Sequence, residues 1–401
     1  MIRRFRWPLV FTVIILALTG STPSIADSRG GSVPATVHLH LPAGYVATSP
    51  ISRTLDAISL FSVTQTFWFF GVFTACCLLT SILLPRRANR RKRIRVAKTV
   101  AVLVVICIGT ELSVVVAPRP MAKLSVDDPD IVIVDFHSHT KASHDANRWF
   151  TAERNRAWHA SGGFQLAYIT DHVKWGGAIA AQPNNPVRAG DGMSLLSGVE
   201  GHYRKVSTVM LAMSAPDSVR LTQWGELKPD SAGNARQPVT IGPIPANLDS
   251  LASAIADTLP RFQGIELVDA APSGLGQLDR EETRIRDIAS SAHLILVSSS
   301  NNHGWGRTVA AWNLVRIPGW RRLAPDSVGR LIEERFRQRD SGAVTIVERT
   351  RPRVHGIELP VTFPLSVLQV VGSLTLTERA VWLVWLWGIV LIVPMARHRL
   401  G

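Results

Sequence analysis

An α/β fold of βα units, carried on transmembrane helices, is the class this sequence predicts, and three observations predict it. Between residues 118 and 340 short apolar, β-branched runs alternate with stretches of helical period, the pattern of strands and helices around a parallel sheet. The connections after those runs are polar and rich in Gly, Pro and Asn, and α/β barrels keep their sites in such loops. Outside that region the apolar residues gather into runs long enough, at about 1.5 Å per helical residue, to cross about 30 Å of hydrocarbon.

In chain order, residues 1–26 open with Arg3, Arg4 and Arg6, continue through an apolar run and reach Ser24-Ile25-Ala26, with small residues at 24 and 26, where signal peptidase would cut. They read as a signal peptide or a first membrane span. Residues 27–57, with only Arg29 and Arg53 as basic residues, read as a short extracytoplasmic segment. A transmembrane helix is expected at 58–84, a basic cytoplasmic loop at 85–99 and a second transmembrane helix at 100–117. Residues 118–340 form the main domain, 341–379 a juxtamembrane extension of short strands, and 380–396 the last transmembrane helix. Lys and Arg near span ends stay in the cytoplasm. Residues 86–98 hold eight of them, and Arg397 and Arg399 follow the last span, so the main domain is expected to be periplasmic or extracellular.

Inside the main domain the strand candidates are 131–136, 166–170, 194–199, 206–212, 263–268 and 294–298. Helix candidates are 152–160, 248–258, 280–291 and 327–337. The net charge of +14 invites a nucleic-acid reading, yet residues 118–378 hold 28 Lys and Arg against 27 Asp and Glu. The excess lies in the signal, the membrane segments and their flanks, so charge argues against nucleic acid as a partner. Cys76, Cys77 and Cys107 all fall in expected spans. Any metal must therefore be held by nitrogen and oxygen ligands, which suits zinc, manganese or iron.

Four strand exits each pair a histidine with an oxygen ligand. DFHSHTKASHD, residues 135–145, follows the run 131–134 and crowds in three of the chain's 12 histidines. In an extended strand His137 and His139 point to one side, about 6.6 Å apart, with Asp135 two residues earlier on the same face. His144 and Asp145 follow in the loop. ITDH ends in Asp171 and His172, GVEGH holds Glu200 and His202, and SSNNHG holds Asn301 and His303. One such pair is ordinary, but four at strand exits in a domain without cysteine point to a metal site. His38, His40, His159, His293 and His355 lack that setting and are expected to be structural or surface residues.

This ordered set, DFHSHT, then ITDH, then GVE, then SNNH after a late strand, resembles the PHP superfamily, named for polymerase and histidinol phosphatase. The resemblance covers roughly residues 130–320. It implies a distorted seven-stranded β/α barrel, metals at the C-terminal strand ends, and hydrolysis of phosphomonoesters or phosphodiesters. It implies metal-binding roles for His137, His139, His172, Glu200 and His303, with His144 or Asp145 as a further ligand. Asn301 stands where the family's late motif has Asp, and no histidine lies between His202 and His293, so one or two divalent ions are expected rather than three.

Hydrolysis by metal-activated water is the chemistry expected of such a site. Glu200 is placed to bridge two ions. Asp171 either orients a ligand histidine or acts as general base. Arg307 is a candidate for an anionic substrate group, and Trp305 for the pocket wall. The expected partners are the membrane and a small-molecule or lipid-linked ester, with no nucleic acid and no oligomeric state implied. A catalytically degenerate ligand-binding or sensor module of the cell envelope is the competing expectation, favoured by Asn301.

Overall fold

The computed structural model describes residues 2–30, 32–83, 89–223, 225–228, 237–256 and 262–399. The chain divides into two compact units, Met1–Ser24 with Leu41–Met121 and Thr350–Gly401, and Ile25–His40 with Ala122–Arg349.

The first unit is helical: Ile2–Leu18, Ser49–Ser59, Val63–Leu83, Asn89–Val116, Thr362–Gly372 and Leu376–Arg399 are its longer helices. Among the described residues one stretch, Lys98–Val116, is by itself long and apolar enough to cross a membrane. Gly356–Gly372 and Leu376–Ile392 meet that test only as a pair bent by 115°, and Phe5–Leu18 and Val63–Leu79 are shorter apolar helices. Of the basic loop expected at 85–99, residues 85–88 lie outside the described residues, as does residue 84 of the span before it. From Asn89 the backbone is already helical and continues without a break to Val116. The amphipathic helix Ser49–Ser59 buries Arg53, whose guanidinium donates to Glu378 at 2.7 and 2.8 Å. Two buried charges are tolerated there because each satisfies the other bidentately.

The second unit carries twelve strands among its described residues: β1 Ile25–Asp27, β2 Val37–His40, β3 Lys123–Val126, β4 Ile131–Ser138, β5 Leu166–Ile169, β6 Ser194–Tyr203, β7 Val206–Leu211, β8 Val239–Gly242, β9 Gly264–Asp269, β10 Ile295–Ser299, β11 Ala311–Arg316 and β12 Val344–Arg349. Ten form one sheet in the order β1-β12-β11-β4-β5-β6-β7-β8-β9-β10, and β2 pairs with β3. β4, β5 and β6 run parallel, as do β8, β9 and β10. Between these groups β6 and β7 make an antiparallel hairpin whose turn residues, Arg204 and Lys205, both have positive φ, the conformation of a two-residue turn matched to strand twist.

The sheet curls until the exit of β10 meets β4. His139 N donates to Asn302 O at 3.0 Å and Asn301 N to His137 O at 2.9 Å, so the upper half of β4 pairs with the end of β10. Its lower half pairs with β11. Asn313 of β11 stands at this fork: its Nδ2 donates to Val134 O and Ser298 O, and its Oδ1 accepts from Ser298 N, at 2.7 to 2.9 Å. The result is a mixed α/β fold with a curled sheet, consistent with a distorted barrel.

Helices follow the strands as the periodicity predicts. Thr151 caps Ala152–Gly162 by accepting from Arg154 N, and Gly163 ends it at φ 94°. A Cβ on Gly163 would lie 2.2 Å from Leu124 O, so only glycine fits. Helix Pro325–Arg337 packs Phe336 edge-on to Phe136, 5.2 Å between ring centres.

Three expectations are corrected. The strands are not all parallel: the β6–β7 hairpin replaces a helical crossover, and β11 and β12 also pair antiparallel with their neighbours. The boundary at residue 340 falls too early: Val344–Arg349, assigned to an extension, is β12, flanked by β11 and β1 within the sheet. Residues 25–26, assigned to the signal or first span, and 27–40, assigned to a separate outer segment, supply β1 and β2 to the same unit.

Candidate metal centre

β4 delivers His137 and His139 into the curl of the sheet, and the two Nε2 atoms lie 2.9 Å apart. Glu200, at the exit of the parallel part of β6, places Oε2 3.2 Å from His137 Nε2, 3.4 Å from His139 Nε2 and 3.1 Å from His172 Nδ1. All but His172 are buried. Ligand atoms of His139, His172 and His303 form a second group within 4.8 Å, and those of His144, Asp145 and His172 a third. Asp145 Oδ2 is 3.3 Å from both His172 Nε2 and His303 Nε2. His139 and His172 are each shared between neighbouring groups, so the cluster is a continuous chain of donors from a buried end at His137 to an exposed end at His144.

The partners of the other ring nitrogens assign the tautomers. His137 Nδ1 faces Glu266 Oε1 at 2.8 Å, and a carboxylate can only accept, so Nδ1 carries the proton. His139 Nδ1 faces Ser143 Oγ at 2.9 Å, while Ser143 donates to Asp171 Oδ1 at 3.0 Å and so accepts from the ring. His303 Nδ1 donates to Asn301 O at 2.8 Å. The lone pairs of His137 Nε2, His139 Nε2 and Glu200 Oε2 therefore converge, and a proton or a cation must lie among them. His303 Nε2 is buried with no hydrogen-bond partner among the described residues. This nitrogen and oxygen donor set, with its lone pairs pre-aimed, fits a divalent cation such as zinc, manganese or iron.

Electrostatics divide the roles. Burial opposes a charge on His137, but Glu266 and Glu200 outweigh it and hold its pKa well above the usual value. His139 goes the other way, through burial first and then the repulsion of a proton by its neighbours His137 and His303, and stays neutral. Burial would raise the Glu200 carboxyl, yet His137, His139 and His172 hold it well below the carboxylate range. A cation entering here displaces the His137 proton and meets an ionised Glu200.

Asp171 is buried and accepts from Thr140 N at 2.6 Å, Thr140 Oγ1 at 2.8 Å and Ser143 Oγ. Burial raises its pKa. Its oxygens are already engaged and it reaches the cluster through Ser143, so of its two expected roles the geometry fits orienting His139. Asp135 does not join the ligands: a register irregularity lies between Asp135 and Ser138, and its carboxylate takes His159 Nε2 at 2.8 Å together with Ser300. His159 is thus a buried partner beneath the site. His202 is exposed on the β6–β7 hairpin. Asn301 turns its Nδ2 to Asp269 Oδ2 at 2.9 Å instead of toward the imidazoles. Arg307 is half-buried in the loop after His303 and makes no ion pair among the described residues.

Sequence reasoning missed Glu266 and Asp269. Both sit in β9, whose six residues are all buried. Two carboxylates in a fully buried strand need partners, and that was the available signal. Glu266 holds His137 and accepts Ile244 N at 2.9 Å. Asp269, raised well above the usual range by burial and then by Glu266, holds Asn301.

No protein-family model matches the chain, and no curated protein does. Among solved structures it is similar to PsfC from Pseudomonas syringae PB-5123, with 11% identity over 60% of this chain and 98% of that one at a TM-score of 0.34. It is also similar to the lesion-specific endonuclease PfuEndoQ from Pyrococcus furiosus, with 14% identity, 51% and 56% coverage and a TM-score of 0.35. A third is endonuclease Q in complex with a 27-mer duplex bearing an abasic lesion, with 13% identity, 50% and 56% coverage and a TM-score of 0.29. The chain spans about half the length of these two endonucleases. At such TM-scores the reading of the site rests on its own geometry. The exclusion of nucleic acid is nevertheless corrected, since a structure with bound duplex DNA is among those similar to this chain. A balanced net charge over residues 118–378 is an average and does not describe the surface at the mouth of one pocket.

Proposed function

We propose that this chain is a membrane-anchored, extracytoplasmic hydrolase of phosphoesters that depends on one or two divalent metals. The observation that carries the reading is the convergence of His137 Nε2, His139 Nε2 and Glu200 Oε2, each pre-aimed by a partner on its far side. His137, His139, His172, Glu200 and His303 would hold the metal, with Asp145 and His144 at the exposed end. When bound, a divalent ion lowers the pKa of water toward neutrality and polarises the ester. Glu266 fixes His137, Ser143 and Asp171 fix His139, and the Asn301 carbonyl fixes His303. Arg307 is free to take the anionic group of a substrate.

A second reading, a degenerate module that binds metal and ligand without turnover, is favoured by Asn301, whose amide is spent on Asp269. The full-length protein in detergent, analysed for metal by mass spectrometry and then offered phosphomonoesters, phosphodiesters and carboxylic esters, separates the two. We expect at least about one zinc, manganese or iron per chain and hydrolysis of a phosphoester. Stoichiometric metal with no turnover on any substrate would select the degenerate module, and less than one metal per chain would end both.

The extracytoplasmic placement rests on the eight basic residues of 86–98. Retention of residues 2–24 as an anchor is supported by β1, because a cut after Ala26 would remove two of its three residues. Reporter fusions near residues 90 and 130 are expected to give opposite compartments. A cytoplasmic signal from the second would sink the topology.

A further inference from the structure

Two loops meet at the exposed end of the cluster, 139–151 after β4 and 300–310 after β10. Asn147 ties them, its N donating to His303 O at 2.8 Å and its Nδ2 to Gly304 O at 3.4 Å. Each loop carries an exposed tryptophan beside an arginine. Trp149 is 59% exposed, with the Arg148 guanidinium 4.9 Å from its ring centre. Trp305 is 50% exposed, two residues before Arg307. Among the described residues of this unit no other tryptophan is exposed: Trp158, Trp312 and Trp320 are core and Trp175 is half-buried. Neither Arg148 nor Arg307 has an acidic partner among the described residues. Leaving two indoles in water costs burial that the fold recovers for every other described tryptophan of the unit, and both lie within four residues of a ligand candidate, Asp145 or His303.

We propose that this rim is a specificity site for phosphate esters whose alcohol carries a ring with an apolar face, that face stacking on Trp149 or Trp305 and the phosphate charge meeting Arg148 and Arg307. The inference rests on the hydrolase reading only for the bond that is cleaved; the rim would select the same ligands in a module that does not turn over. An unpaired guanidinium beside an exposed indole suits an anion attached to a ring, and stacking of this kind is worth about tenfold or more in affinity. The ring source is a nucleoside or a sugar, which share a face for stacking.

Calorimetry on the full-length, metal-loaded protein tests this with phenylphosphonate and methylphosphonate, whose C–P bonds resist hydrolysis. Phenylphosphonate is expected to bind at least about tenfold more tightly. In Trp149→Ala/Trp305→Ala the ratio should fall to about one, and Trp149→Phe/Trp305→Phe should restore most of it. Displacement of phenylphosphonate by thymidine 5′-phosphate or by glucose 1-phosphate assigns the ring to a nucleoside or a sugar; displacement by neither overturns the proposal. A wild-type ratio near one, or an unchanged ratio in the double alanine variant, overturns it even if phosphoesters are hydrolysed. A large, tryptophan-dependent ratio without any hydrolysis leaves the rim standing and removes the hydrolase.

Discussion

His137→Ala is expected to lose more than about 100-fold in metal affinity and, measured on metal-free protein, about 3–5 kcal/mol of stability. Both effects come from one imidazole used on both sides. Its Nε2 joins the metal donors, and its Nδ1 holds Glu266, a fully buried carboxylate whose other described partner is one backbone amide. Removing the ring leaves Glu266 unpaired beside Asp269. His139→Ala removes as many metal contacts but leaves Ser143 still bonded to Asp171 and to His172 N, so its metal-free cost should be smaller, on the order of 1–2 kcal/mol. Metal content together with thermal unfolding after chelation checks both. Stoichiometric metal in either variant would remove that residue from the ligand set, and equal metal-free stability of the two would show that Glu266 does not depend on His137.

Asn301→Asp is expected to destabilise the protein by about 1–3 kcal/mol. Judged only by the family's late motif, which has Asp at this place, the change would restore an anionic ligand. The amide nitrogen of Asn301 in fact donates to Asp269, and an aspartate would replace that donor by a second carboxyl group beside a buried one. Asp269→Asn in the same chain reverses donor and acceptor and should recover most of the loss, while placing the anion at residue 301. A double-mutant cycle of unfolding free energies measures the coupling. If Asn301→Asp is as stable as the wild type and Asp269→Asn adds nothing, the pairing carries no weight and the ligand reading of residue 301 returns.

The strands carrying His137, His172, Glu200 and the approach to His303 were legible because each is an apolar run ending in a polar exit. β11 was not: Asn313 interrupts its apolar pattern, and that residue's reason for being there lies in β4 and β10, far away in sequence. The VTIVER stretch was recognised as strand-like but misplaced, since nothing local says that its partners are β11 and residues 25–27. Glu266 and Asp269 were invisible as site residues because their role depends on which strand curls opposite them. The ligands announce themselves by residue type, whereas the groups that aim them are ordinary acids and amides whose meaning is positional.

The fork at Asn313 bears on how quickly the protein can reach its working state. The upper half of β4 and the end of β10 join chain segments 165 residues apart, as the bond from Ser300 N to Asp135 measures. Contacts that distant form late, because the intervening loop must be closed before they return any free energy. The helices between β4 and β10 can form on their own, but the donor cluster is complete only when this last seam shuts. A cation that binds the closed form then acts chiefly by slowing the opening of the seam, and contributes little to the speed with which it forms.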